Sequence, residues 1–283
     1  MAAKPQTAAG YSQRGTDLAE RVLLEVWSRL GDYHSHLVLV GGLAPRYIVP
    51  QPAIGSEGLV PRHFGTLDVD LALSLAVADL KTYQSIRSTL VDTLGFEPGT
   101  NDRDREQRHS FAKKVGNIPV LLDFLTATYG GPDDSLMRAV EQNLSAIQVQ
   151  GMGLALRDPL QAVVEGELLE GERYEATLNV CRPVPFVVLK ALAFDKRVEP
   201  KDAYDLVYVL RYYKNGVSSV AAEVRKDERS QESFELAVSA MKKHFKDPGQ
   251  VGPRRYGQFY PAEANGAAQA YATVRGFLEH LGA

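Results

Sequence analysis

A single cysteine, Cys181, occurs among the 283 residues. That excludes an internal disulfide and any zinc cluster built from cysteines, and leaves Cys181 to be read as a small buried hydrophobe in a reducing compartment. Long hydrophobic runs are missing too. None approaches the ~18 apolar residues of a membrane span, and the N-terminus lacks the charged-then-apolar pattern of a secretory signal. Neither sign of charge dominates: 32 Lys and Arg against 35 Asp and Glu leave a formal net charge of −3. A nucleic-acid partner would therefore need a local basic patch, because the whole chain exerts no pull on phosphate. Internal repeats and low-complexity tracts are also absent. These absences lead us to expect a cytoplasmic protein with no membrane partner, and the length fits two domains better than one.

What the chain does carry is concentrated between Leu37 and Leu73. The apolar run Leu37-Val38-Leu39-Val40 stops at Gly41-Gly42 and resumes as Leu43-Ala44-Pro45-Arg46-Tyr47-Ile48. Proline is tolerated in a first helical turn, so the pattern predicts a buried strand, a glycine turn and the start of a helix. A loop over Pro50–Gly65, rich in Gly and Pro, is expected to be irregular. Then comes Thr66-Leu67-Asp68-Val69-Asp70-Leu71-Ala72-Leu73. On a strand, residues two apart face the same side, so Asp68 and Asp70 point together. A third acid, Asp123, interrupts the apolar run Val120–Leu125, where a carboxylate is costly unless paired, liganded or at the end of a sheet. Three carboxylates converging from two strands would hold two divalent cations roughly 3.5–4 Å apart, an arrangement suited to in-line displacement at phosphorus. The glycines would let the backbone approach a triphosphate, with help from the helix N-terminus. Each motif alone is weak, since glycine pairs often only turn a strand into a helix and paired acids often sit on solvated strands. Their order carries the argument.

Around that stretch the patterning predicts the remaining elements. Residues 1–15 show no periodicity and read as a mobile tail. Thr16 caps a helix carrying Leu18, Val22, Val26 and Leu30, which Gly31 stops. Asp79 caps another with Leu80, Tyr83, Ile86, Leu90 and Leu94, ended by Gly95. Asn101–Arg108 reads as an exposed loop, and Gly116-Asn117 as the turn of a hairpin between Ser110–Val115 and Ile118–Leu125. Past Tyr129-Gly130-Gly131-Pro132, Ser135–Leu144 reads as helical, and Ala146–Leu156 and Tyr174–Val180 as short strands. Helices over Phe186–Ala193 and Lys201–Leu210 follow, then one marked by Phe234, Ala237, Val238, Met241 and Phe245, and a last over Ala267–Leu281. The expected class is α+β: a mixed sheet with flanking helices over residues 16–131, and a mainly helical C-terminal domain over 132–283.

The ordered set Gly41-Gly42, Asp68-x-Asp70 and Asp123 resembles the nucleotidyltransferase fold of the DNA polymerase beta superfamily, over roughly the first half of the chain. A serine commonly stands where Gly42 is, so a hydroxyl contact to phosphate is missing from that position and the backbone must suffice. Further on, Lys190-Ala191-Leu192-Ala193, Arg197 and Lys201-Asp202-Ala203-Tyr204-Asp205-Leu206 are similar to the helices of AbiEii/AbiGii-like nucleotidyltransferase toxins. In that family a lysine and a downstream aspartate belong to the active site, which implies such roles for Lys190 and Asp205, with Asp202 as rival. Read from the residues alone, they would be solvated polar faces of packed helices.

The resemblance implies a metal-dependent enzyme that moves a nucleoside monophosphate from an NTP, ATP among them, onto an acceptor. Asp68, Asp70 and Asp123 would hold two magnesium ions, and Asp123 would help deprotonate the attacking hydroxyl. Gly41 and Gly42 would seat the β and γ phosphates while Lys190 neutralises them. The acceptor would be tRNA or protein, with a role in toxin–antitoxin or phage-defence systems and a cognate antitoxin as partner. Two rivals stay open. One is a small-molecule enzyme of the aminoglycoside type, which would need an acidic acceptor pocket. The other is a non-catalytic nucleotide- or protein-binding module, against which the complete acid triad argues. The stretch Lys242–Lys246 with Arg254-Arg255-Tyr256 is locally basic and carries aromatics, as RNA binding would require, though a solvated helix end looks the same. His34, His36, His63 and His109 lack metal-ligand spacing and read as surface or loop residues. Arg62 and His63, close in sequence to Gly65-Thr66, are also candidates for the border of a nucleotide site.

Overall fold

The computed structural model describes residues 5–50, 60–76, 85–101, 103, 105–128, 137–141 and 143–283. In chain order its elements begin with α1 (Gln13–Arg29), β1 (Leu37–Val40), α2 (Pro45–Ile48), β2 (Asp68–Leu73) and α3 (Ile86–Ser88). They continue with β3 (Glu97–Thr100), β4 (Glu106–Val115), β5 (Ile118–Ala127), β6 (Met137–Glu141), β7 (Leu144–Val149) and α4 (Met152–Ala155). Next come β8 (Leu160–Glu167), β9 (Arg173–Val180), α5 (Pro183–Arg197), α6 (Pro200–Tyr212), α7 (Val217–Ala222) and α8 (Lys226–Arg229). The last helices are α9 (Glu232–His244), α10 (Val251–Phe259) and α11 (Gly266–Leu281). They form two compact units, each discontinuous in sequence: Gln13–Ala44 with Gly65–Cys181, and Met1–Ser12 with Pro45–Phe64 and Arg182–Ala283.

The first unit is built on a nine-stranded mixed sheet in the order β3-β4-β5-β2-β1-β9-β8. β7 pairs parallel with the last residues of β5, and β6 forms a hairpin with β7. β1 is buried along its whole length, as an uninterrupted apolar run in a central strand should be. It runs antiparallel to β2 and parallel to β9. The helix α1 covers the sheet with Val22, Leu23, Leu24, Val26 and Trp27, all buried. The expected Gly116-Asn117 hairpin is present, closing between Val115 and Ile118 with Gly116 at φ +60°.

Several elements differ from the sequence reading. Ser135–Leu144 was expected to be helical. Of its described residues, Met137–Glu141 form the strand β6 and Leu144 opens β7, because so short a stretch has no periodicity that separates strand from helix, and the pairing of β6 with β7 decides it. Ala146–Leu156 is a strand only to Val149 and then turns into α4. β4 begins at Glu106, inside the stretch read as an exposed loop, and β8 was not foreseen at all. α1 starts at Gln13, within the presumed tail. The helix expected from Asp79 falls partly on residues 77–84, outside the described residues, as do positions 51–59 of the Pro50–Gly65 loop and the Tyr129–Pro132 segment. Within the described part of that helix, Ser85 is the N-cap, accepting the Ser88 backbone N–H at 3.0 Å. The sheet unit runs on to Cys181, past residue 131, because β7 and β9 complete the flanks of β5 and β1.

The second unit is helical. α5 packs on α6 and α9, and α10 on α6 and α11. Phe186, Phe194, Tyr208, Phe259 and Phe277 fill its interior. Pro183 and Pro200 open α5 and α6 at the first helical positions, where the missing N–H costs nothing.

Candidate active site

β2 and β5 run parallel and adjacent, and their register pairs Asp70 with Asp123 and Asp68 with Leu121. Residues paired in register point to the same face of a sheet, and Asp68 lies two residues from Asp70. The three carboxylates expected from the sequence therefore issue from one face of two neighbouring strands, where each residue is half-buried. Val69, Leu71, Leu122 and Phe124 go to the other face and are fully buried. The alternation thus anchors the strands on one side and leaves the acids on the other. The alignment comes from the backbone register. Among the described residues, no three acidic, histidine or cysteine side chains are drawn into a tight metal-holding group. The donors themselves are hard carboxylate oxygens, the class that binds Mg²⁺.

Gly41 ends β1 beside these acids. Its φ is +66°, and a Cβ placed on it would stand 1.8 Å from Asp70 Oδ2. Two separate constraints require glycine there: the left-handed backbone and the carboxylate lying against the α-carbon. Gly42 is packed by Thr66, whose Oγ1 accepts the Asp68 backbone N–H at 3.0 Å. The turn and the acid strand are thus locked together within the sheet unit. The helix expected after the turn, α2, is only Pro45–Ile48, too short for a significant macrodipole. Any phosphate on this turn would be held by the turn itself.

Lys190, Asp202 and Asp205 lie in the helical unit, and the structure gathers them into one buried cluster. Asp205 has a fully buried side chain. Lys190 Nζ reaches its Oδ2 at 2.7 Å, Lys201 Nζ its Oδ1 at 2.7 Å, and the His63 ring its Oδ1 at 2.9 Å. Lys190 Nζ is also 3.2 Å from Asp202 Oδ1, and the Arg197 guanidinium clasps Asp202 through Nε at 2.6 Å and Nη2 at 2.8 Å. Burial would push Asp205 up, but Lys190 and Lys201 outweigh it and hold the carboxyl well below the usual range. Burial pulls Lys190 down, yet Asp205 and Asp202 more than restore it, so its ammonium is held above the ordinary value. The reading of these residues as solvated helix faces does not hold.

The burial of His63 is what sequence reasoning missed. The sequence reads it as a surface or loop histidine, or as a residue bordering a nucleotide site, whereas it is 3 % exposed and packed between Tyr204 and Tyr208 as a partner of Asp205. Burial lowers its pKa to about 4. The ring is therefore neutral near pH 7, and Nε2 must carry the proton it donates to the ionised Asp205. The available signal was on α6: Lys201, Tyr204, Asp205 and Tyr208 fall at i, i+3, i+4 and i+7, one face of the helix. That face receives the segment before Gly65. The Phe64 backbone N–H donates to Tyr204 Oη at 3.2 Å, and Tyr208 Oη donates to the Pro61 carbonyl at 2.9 Å.

The basic stretch at the end of α9 is partly spent within the unit, since Lys243 and His244 both pair with Asp195. Phe245 and Tyr256 are buried, so neither offers a face to a base. Lys242, Lys246 and Arg254 are exposed. Among the described residues no helix is long and apolar enough to cross a membrane. Comparison with curated proteins finds no match. A family profile described as nucleotidyltransferase matches residues 19–209, which takes in the glycine turn, all three strand carboxylates and the Lys190–Asp205 cluster.

Proposed function

The chain belongs to a nucleotidyltransferase family, and from that premise we propose that it transfers NMP from an NTP in a magnesium-dependent reaction centred on Asp68, Asp70 and Asp123. The observation that carries this reading is the in-register pair Asp70 and Asp123 beside a glycine whose α-carbon is pressed against Asp70. Asp68, Asp70 and Asp123 would hold the magnesium ions. Bound there, the ions would supply charge stabilisation at the phosphoryl oxygens and lower the barrier to in-line displacement. The Gly41-Gly42 turn, which carries no side chains of its own, would offer its backbone to the triphosphate. Asp123, in the otherwise apolar run Val120–Leu125, is the residue best suited by chemistry to take the proton of the attacking hydroxyl.

By the family resemblance, Lys190 is the cation offered to triphosphate. An ammonium has three donors, and Asp205 and Asp202 engage it firmly enough to keep it charged. Asp205 then acts by holding Lys190. The same resemblance supports a tRNA or protein acceptor, a toxin's role and a cognate antitoxin. The experiment is incubation with each α-labelled NTP, magnesium, and either total tRNA or candidate proteins. Label transferred to an acceptor and abolished by EDTA is the expected result. Transfer that survives EDTA would remove the metal-dependent mechanism.

A further inference from the structure

One hydroxyl beside the glycine turn has no part in the mechanism above. Thr66 is 6 % exposed, and its Oγ1 is already an acceptor for the Asp68 N–H. A hydroxyl that accepts one hydrogen bond still has a proton to give, and among the described residues no protein acceptor takes it. The side chain is aimed at Gly42. A Cβ built there would stand 3.0 Å from Thr66 Cβ, 3.2 Å from Oγ1 and 3.4 Å from Cγ2. Gly42, unlike Gly41, has no positive φ. The space a side chain at position 42 would enter is occupied by Thr66, and the crowding there comes from that residue and not from the backbone.

We propose that Thr66 supplies the hydroxyl donor of this turn, giving its proton to a phosphate oxygen of the nucleoside triphosphate seated on Gly41-Gly42. The inference rests on the nucleotidyltransferase reading of that turn. Accepting from Asp68 N–H fixes the Oγ1 rotamer, so the remaining proton is directed before any ligand arrives. The same bond ties the donor to the first residue of the carboxylate strand. A hydroxyl on a charged phosphate oxygen is a charge-assisted hydrogen bond, stronger than a neutral one.

The test compares wild type, Thr66→Val, which keeps the shape without the hydroxyl, and Thr66→Ser, which keeps the hydroxyl. Binding of ATP, GTP, CTP and UTP with magnesium is measured by calorimetry, alongside the monophosphate of the tightest binder and a thermal melt of each protein. The expected result is that Thr66→Val weakens triphosphate binding about tenfold, in line with loss of one charged hydrogen bond. Monophosphate binding changes less than about twofold, and Thr66→Ser stays near wild type. Equal triphosphate affinity in Thr66→Val would overturn the role of Thr66 alone. A parallel loss for triphosphate and monophosphate together with a lower melting temperature would overturn it in favour of a purely structural bond to Asp68. Wild type that binds none of the four triphosphates would overturn the nucleotide reading of the turn itself.

Discussion

Asp205 is fully buried yet ionised, and it stays so because two ammonium groups and a neutral imidazole surround it. Removing it would leave Lys190 and Lys201 buried with less compensation. Breaking a buried pair from one side costs roughly 3–5 kcal/mol, so Asp205→Ala should lower the unfolding free energy by about that amount in a urea titration. Lys190→Ala should lose stability as well, which a solvated lysine would not. At the carboxylates the expectation is reversed. Asp70→Ala and Asp123→Ala should melt near or above wild type, since mutually repelling acids on one face are relieved. Transfer should nevertheless fall by at least about a hundredfold, the scale of losing a charge-stabilising group in the transition state. A mutant that is active and equally stable would remove that residue from the site. Gly41→Ala combines both kinds of damage, because the new methyl would meet Asp70 Oδ2 and the backbone sits at positive φ. It should reduce soluble yield and activity together.

At the scale of elements, α6 is the piece on which the helical unit depends. Its face of Lys201, Tyr204, Asp205 and Tyr208 ties down residues 61–64 through His63 and two backbone contacts. That contact has a pH dependence whose sign follows from burial. The folded imidazole has a pKa of about 4, against 6.5 for the ordinary side chain. Between those values the unfolded chain takes up a proton that the native one refuses. Stability is therefore fully present above about pH 6.5 and is lost as the pH falls toward 4, by roughly 3 kcal/mol in all. Asp205, held below its ordinary range, adds a loss of the same sign at still lower pH. Urea titrations from pH 7.5 to 4.5 should show the decline, and His63→Gln should flatten the part above pH 5. The turn between α5 and α6 is a second element-level case. Val198 holds the left-handed conformation at φ +54°, which a β-branched residue adopts at a cost. Val198→Gly should raise stability by about 0.5–1 kcal/mol, read as a higher melting temperature.

For the whole molecule, the discontinuous make-up of both units has a direct consequence. Parallel pairing joins β1 to β9 and β5 to β7, so a chain stopped at residue 131 would leave β1 an exposed edge paired only with β2 and would strip the last residues of β5 of their β7 partner. Such a fragment should collect in the insoluble fraction or show no cooperative melt, whereas the full chain should melt cooperatively. An independently soluble 1–131 fragment with native-like circular dichroism would show that β7 and β9 are dispensable. The sequence alone determined the local features: the buried strand ending in glycines, the acid-x-acid alternation, the apolar run interrupted by Asp123, the hairpin at Gly116-Asn117 and the proline-opened helices. Each is written in a few adjacent residues through period, turn chemistry or an isolated charge. Tertiary structure decided what adjacent residues cannot encode. The register that sets Asp123 level with Asp70, the burial of His63 on α6, and the conversion of the Lys190–Asp205 cluster from solvent-facing to internal all join residues far apart in the chain. Burial and pairing energies act only once those segments meet, and no local pattern records where they will.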